Sequence, residues 1–225
     1  IGLPLTLLSL DETHGAAVFE MGMSDRGEIS ALSKLARPDI GIITNIGTSH
    51  IEFLGSRENI RSAKLEILDG MGPEGTLVLN GDDELLKSCP EAAGRKVLYF
   101  GIENKAADIR ALDITRTECG SVFTIIYPGG QVRAEMVIAG RHSVYNALAA
   151  FTAGLCAGVP AQAAAAAIMT VRPEGMRQNI RRIGPVTVIE DCYNANPDSM
   201  KAALAVLAEF GGRKIALLGD MLELG

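Results

Sequence analysis

The stretch Ile40-Gly41-Ile42-Ile43-Thr44-Asn45, followed by helical spacing over residues 56–68 and then by Thr76-Leu77-Val78-Leu79-Asn80, decides the fold. Two short apolar runs rich in β-branched residues and bounded by turn residues read as strands buried on both faces. The segment between them reads as the helix of a crossover. The same order extends outward: residues 16–20 and 96–100 read as further strands, and residues 28–36 and 83–87 as further helices. Strand and helix in alternation imply an α/β fold with a mostly parallel sheet and flanking helices. Between residues 107 and 137 the pattern changes to alternation, with Val122, Thr124 and Ile126, then Val132, Ala134 and Met136, around Pro128-Gly129-Gly130. A small antiparallel section is expected there.

Helical spacing returns at residues 142–158 and 161–170 and stops before Arg172-Pro173-Glu174-Gly175, which reads as a linker. The expected division is therefore 1–172 and 173–225, the second part being the start of another, Rossmann-like α/β unit. Its strands are expected at residues 179–183, 186–189 and 214–218, and its helix at 198–209. Pro197 near the start of that helix and Gly211-Gly212 past its end follow the usual asymmetry of helix termini.

With 48% hydrophobic residues the chain can bury a substantial core. A net charge of -6 and a pI near 5.2 argue against a general nucleic-acid or anionic-membrane binder, which needs a basic field. The longest apolar stretch, residues 147–168, is alanine-dominated and broken by Gly154, Gly158 and Pro160, so it reads as two packed helices and not a membrane span. Cys89, Cys119, Cys156 and Cys192 lie far apart without a CxxC pair, which suits reduced thiols and a cytoplasmic location. The chain opens at Ile1 without methionine or a signal-type segment and stops at Gly225 where an α/β chain is expected to continue, so it is expected to be a segment.

Six clusters can carry chemistry. Glu20, within Glu20-Met21-Gly22-Met23, ends an expected strand, where ligands of open parallel sheets collect; it suits Mg²⁺, or is simply a solvent-facing acid. Thr44-Asn45-Ile46-Gly47-Thr48-Ser49-His50 crowds short polar groups and one imidazole into the next strand end, as a site or a capped turn. Lys64 follows on a helix; most such lysines are solvated, and an ammonium ligates no Mg²⁺ unless it becomes a carbamate. In Gly140-Arg141-His142-Ser143-Val144-Tyr145-Asn146, His142 or Ser143 can cap a helix while Asn146 faces a ligand. Arg177 in the linker region is a surface charge or a phosphate-binding guanidinium. Asp191-Cys192-Tyr193-Asn194-Ala195-Asn196-Pro197-Asp198-Ser199-Met200 carries more polar groups than a helix cap requires.

In order and wording these clusters resemble the Mur ligase family, and the run from Asp191 to Met200 looks like its D-alanyl-D-alanine-adding (MurF) type. The opening Ile1-Gly2-Leu3-Pro4-Leu5 and the closing Gly219-Asp220-Met221-Leu222-Glu223-Leu224-Gly225 are similar to the same type. The resemblance spans the whole chain. It implies an ATP- and Mg²⁺-dependent ligase of peptidoglycan precursor synthesis, expected to be a monomer. Its substrates are UDP-N-acetylmuramoyl-tripeptide and D-alanyl-D-alanine, joined through an acyl phosphate.

By the same resemblance Glu20, His50 and Lys64 match the metal-site residues, Lys64 as the lysine the family carbamoylates. Asn146 matches a nucleotide-contacting asparagine, Arg177 the γ-phosphate arginine and Asp191 the ribose-binding aspartate, with Tyr193, Asn194 and Asn196 bordering the nucleotide. Lys64, His50 and Arg177 are the expected catalytic groups. Ser143 stands where the family pattern usually continues with asparagine. No Gly-x-x-Gly-Lys-Thr phosphate loop occurs in the chain, and the resemblance puts that loop ahead of Ile1. The segment alone is therefore expected to be inactive. Ligases adding one amino acid, folylpolyglutamate synthetase-like ligases and a non-enzymatic binding module on the same fold are the alternatives.

Overall fold

The computed structural model describes residues 2–117, 120–173 and 175–222. Glu174 of the expected linker, Cys119 and the last three residues of the closing motif lie outside them. The chain begins with α1 (Gly2–Leu8), which the sequence reading did not anticipate, and continues through α2 (Glu28–Ala36), β1 (Ile40–Ile43), α3 (Ile51–Leu54) and α4 (Arg57–Leu65). Ser56 caps α4 by accepting the Asn59 amide at 3.2 Å. A 3₁₀ turn at Glu66–Asp69 carries that helix on toward β2 (Thr76–Asn80), so the expected helix of residues 56–68 tightens in its last turn.

Next come β3 (Lys96–Gly101), β4 (Ile109–Arg116), β5 (Ser121–Tyr127), β6 (Gly130–Met136), α5 (Arg141–Cys156) and α6 (Ala161–Thr170). The six strands form one sheet in sequence order. β1 to β4 run parallel, and β4, β5 and β6 pair antiparallel, as the change of pattern after residue 107 predicts. Pro128-Gly129 closes the last hairpin between the paired residues Tyr127 and Gly130.

β2 shows why the parallel strands read as unbroken apolar runs. Val78 points into a core formed with α5 and α6, while Leu77 and Leu79 point into a second core with α2 and α4; all three are 0% exposed. The sheet is thus covered on both faces, with two apolar layers separated by one strand's alternation. Gly70 lets the turn after α4 approach α2 closely: a Cβ there would lie 2.0 Å from the Ser33 carbonyl oxygen.

The remaining elements are β7 (Asn179–Ile183), β8 (Val186–Glu190) and α7 (Pro197–Ala208). β7 and β8 form their own antiparallel hairpin, apart from the six-stranded sheet. Asn196 and Ser199 make a reciprocal capping box at the start of α7, with Pro197 at the first helical position.

Three expected elements are absent, each for an identifiable reason. Residues 16–20 are extended but pair with no strand among the described residues, and Val18 is 94% exposed. Residues 214–218 likewise remain coil, with Leu217 96% exposed. A β-branched run makes a strand only when a neighbouring edge accepts its backbone. Residues 83–87 form a single turn and not a helix, because the Asp83 carboxylate takes the Leu85 amide at 2.9 Å and competes with helical hydrogen bonding.

Candidate functional site

The C-terminal ends of the parallel strands converge on a knot of polar contacts. Beyond β1 the chain turns through residues 44–50; β2 ends on Asn80 and is followed by Asp82 and Asp83; beyond β3 the chain passes residues 102–104. Asn80 donates its side-chain amide to the Thr44 carbonyl at 3.0 Å, and Asp83 Oδ2 accepts the Ile46 amide at 2.7 Å. Asp82 accepts the amides of Ile102, Glu103 and Asn104 at 2.6–2.9 Å, and the Tyr145 hydroxyl at 2.7 Å. Burial raises the Asp82 pKa, but these donors together outweigh it and leave the carboxyl below its usual value. Burial and the bond to Asp82 push Tyr145 up to about 12. These carboxylates hold the strand-end loops and the first turn of α5 in one arrangement. The sequence reading passed over both, although an Asp-Asp pair one glycine beyond an expected strand was the available signal.

Lys64 departs most from the solvated lysine its helical position suggests. Its Nζ is drawn back to the strand-end loop and donates to the Asn45 carbonyl at 2.8 Å. Burial lowers its pKa and the Asp83 carboxylate partly opposes that shift. Arg57 donates through Nε and Nη2 to the Ile46 carbonyl at 3.1 and 2.8 Å, so two cations from α4 grip the same loop. His50 ends that loop as the N-cap of α3, half-buried and in the left-handed region at φ 61, where non-glycine residues are uncommon.

The 191–198 segment meets the same region. Arg177 stacks over the Tyr193 ring, 4.1 Å from its centroid, so two of the residues singled out for the nucleotide lie in contact. Asn196 combines its capping role with a bond from Nδ2 to Ser49 Oγ at 2.9 Å. Asn194 accepts the Ala195 amide at 2.8 Å. Burial lowers the pKa of His142, and the half-buried Asp191 carboxylate only partly opposes that shift. A ring nitrogen of His142 lies 2.9 Å from the side-chain amide of Gln178, a buried residue at φ 48 that no sequence motif singles out.

Two candidates stand apart. Asn146 is exposed on α5. Glu20 is exposed in the coil ahead of α2, and among the described residues no three His, Cys, Asp or Glu side chains converge to hold a metal. The donor chemistry fits Mg²⁺ only in part: His50 and Lys64 offer nitrogen, and oxygen from the lysine requires carbamate formation. No helix among the described residues is long and apolar enough to cross a membrane.

Comparison with known proteins bears on the family and the fold. The model of the Mur ligase middle domain matches residues 1–154, and that of the Mur ligase glutamate ligase domain matches residues 176–225. The UDP-N-acetylmuramoyl-tripeptide–D-alanyl-D-alanine ligase of Bacillus subtilis (strain 168) is 43% identical across all of this chain and 49% of its own length. The crystal structure of MurF from Acinetobacter baumannii superposes with a TM-score of 0.95 at 34% identity, covering 100% of this chain and 49% of that one. MurF ligase from Thermotoga maritima in complex with ADP gives 0.87 at 27% identity, covering 100% and 52%. The chain therefore spans about half the length of the relatives it matches.

Proposed function

The chain belongs to the Mur ligase family, and from that premise we propose that it forms the nucleotide-handling centre of an ATP-dependent ligase joining D-alanyl-D-alanine to UDP-N-acetylmuramoyl-tripeptide. Residues 1–172 act as the central domain and residues 173–225 as the start of the C-terminal one. The carboxylate of the muramoyl peptide attacks the γ-phosphorus of ATP and ADP departs. The dipeptide amine then attacks the acyl carbon, loses a proton and expels phosphate as the C–N bond forms. Phosphorylation is needed because a carboxylate is a poor electrophile at neutral pH.

The observation that carries this reading is the position of Lys64. An ammonium on a solvated helix face has nothing to do, whereas this amine is held against the loop that bears His50. Its lowered pKa increases the neutral fraction, the form that adds carbon dioxide to give a carbamate with two ligand oxygens. Glu20, His50 and the modified Lys64 are the proposed holders of Mg²⁺, which when bound would neutralise phosphate charge.

Arg177, pre-oriented on the Tyr193 face, is placed in the role of stabilising the transferring phosphoryl group. Asp191, Asn146 and Asn194 are assigned to the nucleotide. Asn196 already holds the α7 cap and Ser49, so it serves the site by shaping the loop. The test is coupled ADP release by the protein expressed from its full reading frame, with UDP-N-acetylmuramoyl-tripeptide and Mg-ATP. The expected result is turnover with D-alanyl-D-alanine. Turnover with a single amino acid alone, or only with a folate acceptor, would contradict it.

A further inference from the structure

Two loops about 150 residues apart in the chain meet at the start of α7. Thr48 donates from its backbone N–H and from Oγ1 to the same oxygen, Oδ2 of Asp198, each at 3.1 Å. Beside this contact Asn196 donates to Ser49. α7 does not require either bond. Its N-terminus is already closed by the capping box of Asn196 and Ser199 and by Pro197. A carboxylate in the first turn gains from the helix dipole wherever its oxygens point. The fit is close on the other side as well: a Cβ on Gly47 would lie 3.1 Å from the same Oδ2.

We propose that Asp198 is a positioning residue whose carboxylate sets the register between the loop of residues 44–50 and the segment of residues 191–198, so that they act as one site. The inference rests on the functional reading above, which puts His50 and Lys64 on one side of this seam and Arg177, Asp191 and Tyr193 on the other. Asp198 is exposed, so water competes for its oxygens and the contact adds little to folding stability. What it supplies is geometry, because a displacement of about 1 Å between reacting groups costs on the order of a hundredfold in rate.

The variants Asp198→Ala, Thr48→Val, their combination and Asp198→Asn test this in the protein expressed from its full reading frame. Asparagine retains an acceptor oxygen while removing the charge. Asp198→Ala is expected to lower kcat/KM for ATP about tenfold, Thr48→Val about threefold, and the double variant no more than Asp198→Ala alone. Asp198→Asn should stay within about threefold of the parent. Hydrogen exchange at the Thr48 amide provides a readout independent of turnover, and should quicken about tenfold in Asp198→Ala but not in Asp198→Asn.

Unchanged exchange in Asp198→Ala overturns the proposal. So do multiplicative effects in the double variant, or an Asp198→Asn variant as impaired as alanine, which would reduce Asp198 to a helix-terminal charge. If the parent protein carries out no ATP-dependent ligation, the functional reading fails, and exchange alone decides whether Asp198 holds Thr48.

Discussion

Residues 40–170 and residues 176–210 are held by different physics. In the first region Leu77, Val78, Leu79, Phe100 and Leu148 are all 0% exposed, and the sheet is covered on both faces. In the second, Val206 is the one buried apolar side chain among the described residues. In the hairpin of β7 and β8 half of the strand residues are exposed and none is fully buried. The second region meets the first through polar and cationic contacts, Thr48 with Asp198, Ser49 with Asn196, Gln178 with His142, and Arg116 with Glu209 and the Phe210 ring, and through Val206 beside Gly140. A buried core tolerates little displacement, whereas hydrogen bonds open to water re-form readily. The candidate site lies along the seam between the two, with one side rigid and the other registered by a few side chains.

The contrast predicts very different costs for truncating apolar side chains. Phe100→Ala removes a fully buried ring from the sheet and should cost about 3–5 kcal/mol in chemical denaturation. Val206→Ala should cost about 1.5 kcal/mol, from roughly two buried methyl groups. Its effect should appear as faster exchange in α7 with the sheet unchanged. Equal costs for the two variants would mean that the regions share one core.

Next in size is the chemistry at Lys64. Lys64→Ala should lower ligation at least about a hundredfold, or about 2.7 kcal/mol of transition-state stabilisation. Added acetate should restore part of the rate by occupying the vacated oxygen positions. Lys64→Arg should fail despite keeping its charge, since guanidinium neither carbamoylates nor ligates Mg²⁺. Parental rates for both variants would return Lys64 to a purely structural role.

The smallest effect belongs to the rigid side's own surface. Arg61 donates to Glu91 through both terminal nitrogens, at 2.6 and 2.8 Å, and holds the Glu91 carboxyl down from 4.5 to about 2. A depressed carboxyl pKa stabilises the fold above the unfolded value, and that stability is lost as pH falls through the folded value. The contribution should therefore be complete above pH 4.5 or so and disappear toward pH 2. Glu91 is 45% exposed, so solvent screening limits the effect to about 1 kcal/mol. Denaturation of Glu91→Gln across that range should show a flatter acid limb than the parent.

The same contrast explains what the sequence made legible. Strands such as Thr76–Asn80 and helices such as Glu28–Ala36 were readable to the residue because burial imposes its period on the sequence. Residues 16–20 and 214–218 carry equally good strand patterns and remain coil, because a pattern specifies willingness to pair and not the presence of a neighbour. For the site, the polar clusters at the ends of strands β1 and β8 were visible as composition. The contact of Lys64 with Asn45, the stacking of Arg177 on Tyr193 and the contact of Thr48 with Asp198 were not, since each joins residues that sequence spacing leaves unrelated. Asp82 and Asp83 left one signal, the acidic pair that follows β2, but most of their partners are backbone amides, which no side-chain pattern records.

That the two regions form one nucleotide site is tested most directly by hydrogen exchange on the protein expressed from its full reading frame, with and without saturating ADP and Mg²⁺. Slower exchange in residues 44–50 and in residues 191–198 together is the predicted result. Slowing confined to one of these segments, with the other unchanged at saturation, would contradict a site shared across the seam.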